Sequence, residues 1–309
     1  MPSRAERRGA GLFALLALAV PPVAAAAQTV RAEPGAPPPR ALEGRPVVLV
    51  TGSTNGLGRE VVLAMAATGA HVIVHGRDRD RGLEVVGRIV AAGTGSASFY
   101  AADLGSMAEV RAFGEAVLRD HDRLDVLVNN AGIWLTGETT RRMSVDGHEL
   151  TFAVNYLSHF FLTRILLRII PASPASRIVN VSSGAQAPID FRDPMLAEGY
   201  TGSRAYAQSK LAQILFTLDL ADELADRGIR VNALHPATLM DTNMVLSAGV
   251  RPRSSVEEGL EAVMQLIVSE EIGSGGYFDG LGPARAHAQA YDREARARLR
   301  RLSEELTRR

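Results

Sequence analysis

Thr51-Gly52-Ser53-Thr54-Asn55-Gly56-Leu57-Gly58 follows the apolar run Val47–Val50 and precedes an amphipathic stretch, Arg59–Ala67. A strand, a glycine-rich turn and a helix in that order make an anion cradle. The glycines let the backbone turn tightly and approach a pyrophosphate, while the helix start offers unpaired N–H groups and the positive end of its dipole. The spacing is T-G-x-x-x-G-x-G, not the commoner G-x-G-x-x-G, so taken alone it also fits a plain structural turn.

Working outward from this turn, apolar runs alternate with helical periods. After Val47–Val50 come His71–His75, Ser98–Tyr100, Val126–Val128, Arg177–Val181 and Arg230–Leu234 as candidate strands. Amphipathic stretches such as Arg59–Ala67 and Leu83–Ala91 separate them at crossover spacing. Continuous apolar strands joined by helices predict an α/β fold: one doubly wound, parallel, Rossmann-type sheet with helices on both faces. Residues 46–309 show no composition break and no fixed-period repeat, so they read as one domain.

His75-Gly76-Arg77-Asp78 closes the second strand, where a carboxylate would bind a ribose 2′-hydroxyl. That place falls on Gly76, and the planar guanidinium of Arg77 suits a 2′-phosphate, which favours NADP(H) over NAD(H). The competing reading is a surface arginine paired with Asp78 or Asp80. Farther on, Tyr206-Ala207-Gln208-Ser209-Lys210 opens a helix whose apolar positions Leu211, Ile214, Leu215 and Leu218 place Tyr206 and Lys210 on one face. An adjacent ammonium favours the phenolate, and lowering a phenol by three units requires about 4 kcal/mol. On its own the pair equally fits a surface helix with an aromatic anchor.

Taken together, these motifs make residues 46 to 309 resemble the short-chain dehydrogenase/reductase family. Several further motifs fall in the family's order. The resemblance implies that Thr51, Gly52, Ser53, Asn55, Gly56, Leu57 and Gly58 cradle the cofactor, with Arg77 beside them. It implies that Asp103-Leu104 contacts the adenine and that Asn130, Ala131 and Gly132, after Asn129, support sheet and cofactor. It gives Asn155 a structural and proton-relay role, Ser183 the polarising hydrogen bond to a substrate carbonyl, and Tyr206 the proton transfer. Lys210 would lower the tyrosine pKa and bond the nicotinamide ribose, and Pro236 and Thr238 would face the nicotinamide. The implied activity is hydride transfer between NADP(H) and a carbonyl or alcohol. Ala237 departs from the family glycine, and Asp241 stands where the family has threonine, with Thr242 one position on. The long interval between Ser183 and Tyr206, together with Gly276-Tyr277-Phe278, resembles the branch of retinol dehydrogenases and protochlorophyllide reductases, which implies a hydrophobic substrate. Gly184–Arg204 and Met240–Val256 are the expected substrate loops. Their apolar residues fit either a greasy pocket or lid packing, and Trp134 fits either crevice or core.

Composition narrows the alternatives. The 309 residues are 46% hydrophobic and 22% charged, with 34 Lys+Arg against 34 Asp+Glu and no cysteine. Dominant disorder, disulfides, thiolate metal sites and a global basic field for nucleic acid are thereby excluded. The seven histidines lack ligand spacing, so they read as structural and no metal is expected. Arg4, Arg7 and Arg8, the apolar Gly9–Val20 and the Ala24–Ala27 run give residues 1–27 the layout of a signal peptide, with a loose twin-arginine match. A Pro-rich linker, 28–45, follows. The expected location is periplasmic or secreted, with no membrane span after cleavage; the alternatives are a cytoplasmic enzyme with a misassigned start and a chain held by an uncleaved anchor. Ala295, Leu299, Leu302 and Leu306 share a helical face that would dock on the body or on a second subunit, which leaves a homo-oligomer open. An NADP(H)-binding sensor or scaffold without turnover is the alternative function, although it would not need Ser183, Tyr206 and Lys210.

Overall fold

The computed structural model describes residues 29–30 and 44–308. The segment read as a signal peptide lies outside them. The chain runs β1 (Thr29–Val30), β2 (Val47–Val50), α1 (Gly56–Ala67), β3 (His71–Gly76), α2 (Arg79–Ala92), β4 (Ser96–Ala101), α3 (Met107–Asp120) and β5 (Val126–Asn129). It continues through α4 (Leu150–Phe152), a π-helical turn (Ala153–Leu157), α5 (Ser158–Leu166), β6 (Arg177–Val181), α6 (Gly202–Glu223) and β7 (Arg230–His235). Then come α7 (Asn243–Ser247), α8 (Val256–Val268), β8 (Tyr277–Asp279), β9 (Gly282–Pro283) and α9 (Arg293–Thr307). All six strands read from the sequence are present.

The strands form one sheet ordered β1-β4-β3-β2-β5-β6-β7-β8-β9. β4 through β8 pair in parallel, and β1 and β9 add short antiparallel edges. Side-chain alternation splits the core into two layers. Val48, Val50, Val72, Val74, Val126, Val128, Val179 and Val181 face α1, α2 and α8. Leu49, Ile73, Leu127 and Ile178 face the opposite layer, with α3, α5 and α6. The sheet is therefore covered on both faces, which is why its strands read as unbroken apolar runs.

Two features depart from the sequence reading, and a third takes up one of its alternatives. The seventh parallel strand, β8, is only three residues long, and Gly276-Tyr277-Phe278 gave no strand pattern to find. Thr29–Val30, within the stretch taken as linker, pairs antiparallel with Tyr100 and Phe99 of β4. The C-terminal helix α9 settles on its own body: Ala295 and Leu299 are buried in the α6-side core, Ser303 shares a 2.6 Å hydrogen bond with the Tyr156 hydroxyl, and Arg296 and Arg300 pair with Asp222 and Asp219 of α6. Among the described residues, no helix is long and apolar enough to cross a membrane.

Strand order reverses between β2 and β5. The turns after these two neighbouring strands, Thr51–Gly58 and Asn130–Gly132, consequently meet at the C-terminal edge of the sheet, where open α/β sheets bind ligands.

Candidate active site

The glycine turn is locked to the turn beside it. The Thr51 hydroxyl accepts hydrogen bonds from the backbone N–H of Asn130 (2.9 Å) and Ala131 (3.0 Å), and Asn130 Nδ2 donates to the carbonyls of Thr51 and Gly52. Gly52 has φ 64°, and a Cβ there would sit 2.9 Å from Ala131 Cα, so only glycine fits. A Cβ at Gly58 would come 2.5 Å from Asn130 Nδ2 and from the Gly52 carbonyl. Asn55 caps α1, its side chain accepting from the Gly56 N–H at 2.6 Å. Ser53 is buried and bonds to Val50 and to the backbone of His75. The Leu57 and Leu104 side chains are buried in the core, so these residues can offer a ligand only their backbone.

The adenosine side is set by β3 and β4. Thr54 packs on Gly76 so closely that a Cβ at 76 would meet Thr54 Cγ2 at 2.5 Å, so a carboxylate-bearing residue there would require the Thr54 side chain to move. Arg77 is exposed and lies 3.8 Å from the Asp103 carboxylate, not in a tight pair with Asp78, whose partner is Arg81.

Across the sheet edge, Asn155 is fully buried in the π-helical turn. Its Oδ1 accepts from the Ile133 N–H (2.8 Å) and its Nδ2 donates to the Ile133 carbonyl (3.1 Å) and the Ser209 hydroxyl (3.0 Å). This double bond to one backbone residue fixes the strand end just past Gly132. Two side chains bond back to carbonyls of this widened turn: Ser158 Oγ donates to Val154 and His159 Nδ1 to Asn155. The buried carboxylate of Glu149 caps the helix start by accepting from Thr151 and Phe152, and burial holds its pKa above the usual range.

Ser183, Tyr206 and Lys210 converge beside this edge. Ser183 adjoins the Tyr206 side chain, and the Lys210 ammonium lies 5.6 Å from the Tyr206 ring centroid. The Ser183 hydroxyl accepts from the Ala185 N–H (3.1 Å), while its carbonyl accepts from the Tyr277 hydroxyl (3.0 Å). The side chain of Gln289 clamps the following loop, accepting from the Ile189 N–H (2.7 Å) and donating to its carbonyl (3.0 Å). The sequence marked Tyr277 only as part of Gly276-Tyr277-Phe278, without this contact, and gave no sign of Gln289, since each acts across about 100 positions.

Burial dominates the electrostatics here. Lys210 Nζ donates to the Val181 carbonyl and Gln213 Oε1, both at 2.9 Å, and burial pushes its pKa down to about 7. Burial likewise raises the Tyr206 phenol, against a downward pull from Ser183. Desolvation thus outweighs any attraction of the phenolate for the ammonium, and Tyr206 stands as a neutral phenol with a proton to give.

The outer wall is mixed. The Trp134 ring lies 6.0 Å from that of Tyr206 and is half-buried, so it lines the crevice. Ile189, Leu196 and Val245 are buried, and Phe191 and Met195 pack against the core, so most apolar residues of the two loops hold the lid to the body. Leu246 remains exposed. Thr238 is bonded to His235 Nε2 (3.0 Å), whereas Thr242 reaches the glycine turn: its Cγ2 is 3.3 Å from where a Gly56 Cβ would stand. Pro236 is buried beside α8. Among the described residues, no group of three or more His, Asp or Glu side chains is placed to hold a metal.

A family model described as short chain dehydrogenase matches residues 46–250, which takes in both turns and the Ser183, Tyr206 and Lys210 cluster. The chain belongs to that family. Retinol dehydrogenase 13 of Mus musculus is 35% identical over 287 residues, covering 86% of this chain and 84% of the relative. Retinol dehydrogenase 14 of Homo sapiens is 39% identical over 213 residues, covering 64% and 62%. These relatives set the chain in the retinol dehydrogenase-like branch. A short chain dehydrogenase from Shigella flexneri complexed with NADP superposes with TM-score 0.63 at 25% identity, covering 76% of this chain and 96% of that one. Another from Burkholderia cenocepacia, also with NADP, gives 0.62 at 26%, covering 78% and 98%. This short chain dehydrogenase is an NAD(P)-dependent oxidoreductase acting on alcohol and carbonyl groups of small molecules.

Proposed function

We propose that the protein reduces a hydrophobic aldehyde or ketone with NADPH, or runs the reverse oxidation, through Ser183, Tyr206, Lys210 and Asn155. The observation that carries this reading is the convergence of Ser183, Tyr206 and the buried Lys210, whose ammonium lies 5.6 Å from the Tyr206 ring, at the strand edge that also holds the glycine turn. The residues present fit a dinucleotide. Side chains are excluded at Gly52 and Gly58, the α1 N-terminus opens beside them, and the space in front of Gly132 is bounded by Asn155 Oδ1 and Lys210 Nζ, 3.3 and 3.6 Å from the place of a Cβ. The cofactor, when bound, supplies the hydride.

The side chains divide the remaining work. Ser183 donates a hydrogen bond to the substrate oxygen and holds it beside Tyr206; Tyr206 gives that oxygen its proton as negative charge develops there. Lys210 is held within reach of Gly132 and Tyr206, where its ammonium can bond a ribose hydroxyl and stabilise the phenolate left behind. Asn155 keeps the Ile133 backbone, and so the floor of the site, in place. Trp134 offers an aromatic wall to an apolar substrate. The two retinol dehydrogenases among the relatives support a hydrophobic substrate, and the NADP in the solved relatives supports the phosphorylated cofactor.

The test is oxidation of NADPH and NADH by the purified protein against aldehydes, ketones and quinones of increasing apolar size. NADPH consumption with a hydrophobic carbonyl is the expected result; NADPH binding with no turnover across carbonyls and alcohols would favour a sensor. Preference for the 2′-phosphate is assigned to Arg77 with Thr54 and Gly76. Because Arg77 is solvent-exposed, Arg77→Ala is expected to raise KM for NADPH about fivefold, the effect of one partly screened charged hydrogen bond, and to leave NADH unchanged. Equal loss with both cofactors would remove Arg77 from the specificity pocket.

For export, residues 1–27 carry the proposal alone. N-terminal sequencing of the protein recovered from its native cells should begin near residue 28, and an intact Met1 in the cytoplasm would end the proposal.

A further inference from the structure

Two buried histidines from different elements meet the first two residues of the glycine turn. His159 of α5 places Nδ1 2.9 Å from the Asn155 carbonyl and Nε2 2.9 Å from the Thr51 hydroxyl. A carbonyl only accepts, so Nδ1 carries the proton and Nε2 is the acceptor. The Thr51 hydroxyl has two acceptors in reach, Nε2 at 2.9 Å and the Val128 carbonyl at 3.5 Å, and donates to the nearer, leaving its lone pairs for the N–H groups of Asn130 and Ala131. Every bonding site on that oxygen is thereby used. His75 of β3 accepts the Gly52 N–H at Nδ1 (3.1 Å), which requires the proton on Nε2. Its ring is stacked on Phe113 at 4.7 Å, and its backbone N–H and carbonyl bond to Ser53.

We infer that His75 and His159 are positioning residues of the cofactor turn: held in opposite neutral tautomers, they fix the Gly52 N–H and the Thr51 hydroxyl and so preset the turn for a pyrophosphate. This rests on the NADP(H) reading above. The gain is preorganisation, since a glycine-rich turn free to wander must be ordered when ligand binds. The surroundings keep both rings neutral. Burial pushes His75 down to about 4, with Arg77 adding to the fall and the Ala102 carbonyl and Asp103 opposing it. Burial pushes His159 down to about 3, with Lys210 and His75 adding and the Asn155 carbonyl opposing. Protonating either acceptor nitrogen would abolish its bond to the turn.

Two measurements test the clamp. In the wild-type protein with 15N-labelled histidine at pH 7, the ring shifts should report His75 as the Nε2–H form and His159 as the Nδ1–H form; matching tautomers, or an imidazolium at either position, would overturn it. NADPH titration followed by its fluorescence then compares His75→Leu, which fills the space without an acceptor, with His75→Asn, whose Oδ1 can replace Nδ1. Leucine should weaken Kd about tenfold, as expected for a buried N–H deprived of its partner, and asparagine should recover most of that. A purely structural histidine predicts no such rescue, so equal loss in both variants, or none in leucine, also overturns the proposal. Failure of the wild type to bind NADPH would refute the cofactor reading instead, and the tautomers would still decide the clamp.

Discussion

Tyr206→Phe is expected to lower kcat/KM for carbonyl reduction by about 10³-fold, within the range for loss of a positioned general acid. The ring, its packing near Trp134 and the helix all remain; only the hydroxyl goes. Hydride arriving at a carbonyl carbon leaves a full negative charge on oxygen unless a proton arrives with it, and Tyr206 is the neutral donor adjoining Ser183. Ser183 alone can hydrogen-bond that charge, but an aliphatic hydroxyl is a far weaker acid than a phenol and does not neutralise it. The readout is steady-state NADPH oxidation with the best carbonyl found for the wild type, alongside NADPH Kd, which should change less than about threefold because a single neutral hydrogen bond contributes little net binding. Adding Ser183→Ala to Tyr206→Phe should cost far less than the product of the separate losses, since the two hydroxyls act on one oxygen. Retention of more than a tenth of wild-type kcat/KM by the phenylalanine variant would remove Tyr206 from proton transfer.

How much of this was legible in the sequence follows from distance along the chain. Strands such as Val47–Val50 and Arg177–Val181 stood out because burial on both faces forces continuous apolar runs. Tyr206 and Lys210 were legible as one helical turn, and the glycine turn was legible because strand and helix flank it. What escaped depends on contacts between remote segments. β8 is three residues that pair only because β7 is already there. Tyr277 reaches the Ser183 carbonyl and Gln289 reaches Ile189 from the far end of the chain. The sequence placed Thr238 at the cofactor and noted Thr242 only as next to the family's threonine position, whereas folding turns Thr238 to His235 and Thr242 to Gly56. The burial that raises the Tyr206 phenol and lowers Lys210 escaped for a related reason: spacing shows which charges are neighbours but not how thoroughly water is excluded from them. His159 was the nearest miss, since its position four residues after Asn155 already placed it over the carbonyl it binds.

Those histidines also set the response to acid. Burial pushes His71 and His159 down to about 3 and His75 and His121 down to about 4, and His71 and His121 repel each other's charge across 5.3 Å. Unfolded, each would titrate near 6.5. A group that binds its proton more weakly when folded makes the unfolded state the better proton acceptor at low pH. Its stabilising contribution is complete above about pH 6.5 and is lost as pH falls toward the folded value. At pH 5 each histidine lies 1.5 units below its unfolded pKa, about 2 kcal/mol, so four cost about 8 kcal/mol of the roughly 5–15 kcal/mol that holds a domain folded. Glu149 works the other way, because its raised pKa favours the fold in acid, but it is one group against four. Melting followed by Trp134 fluorescence should therefore show Tm falling by about 20 °C between pH 7 and pH 5 for a domain of this size. His71→Gln and His121→Gln, which keep hydrogen-bonding capacity without a titratable ring, should each return part of that loss at pH 5 while lowering stability at pH 7. A Tm that is flat between pH 7 and pH 5 would mean that these rings reach solvent and protonate within the folded protein, contrary to the burial that also underlies the grip of His75 and His159 on the cofactor turn.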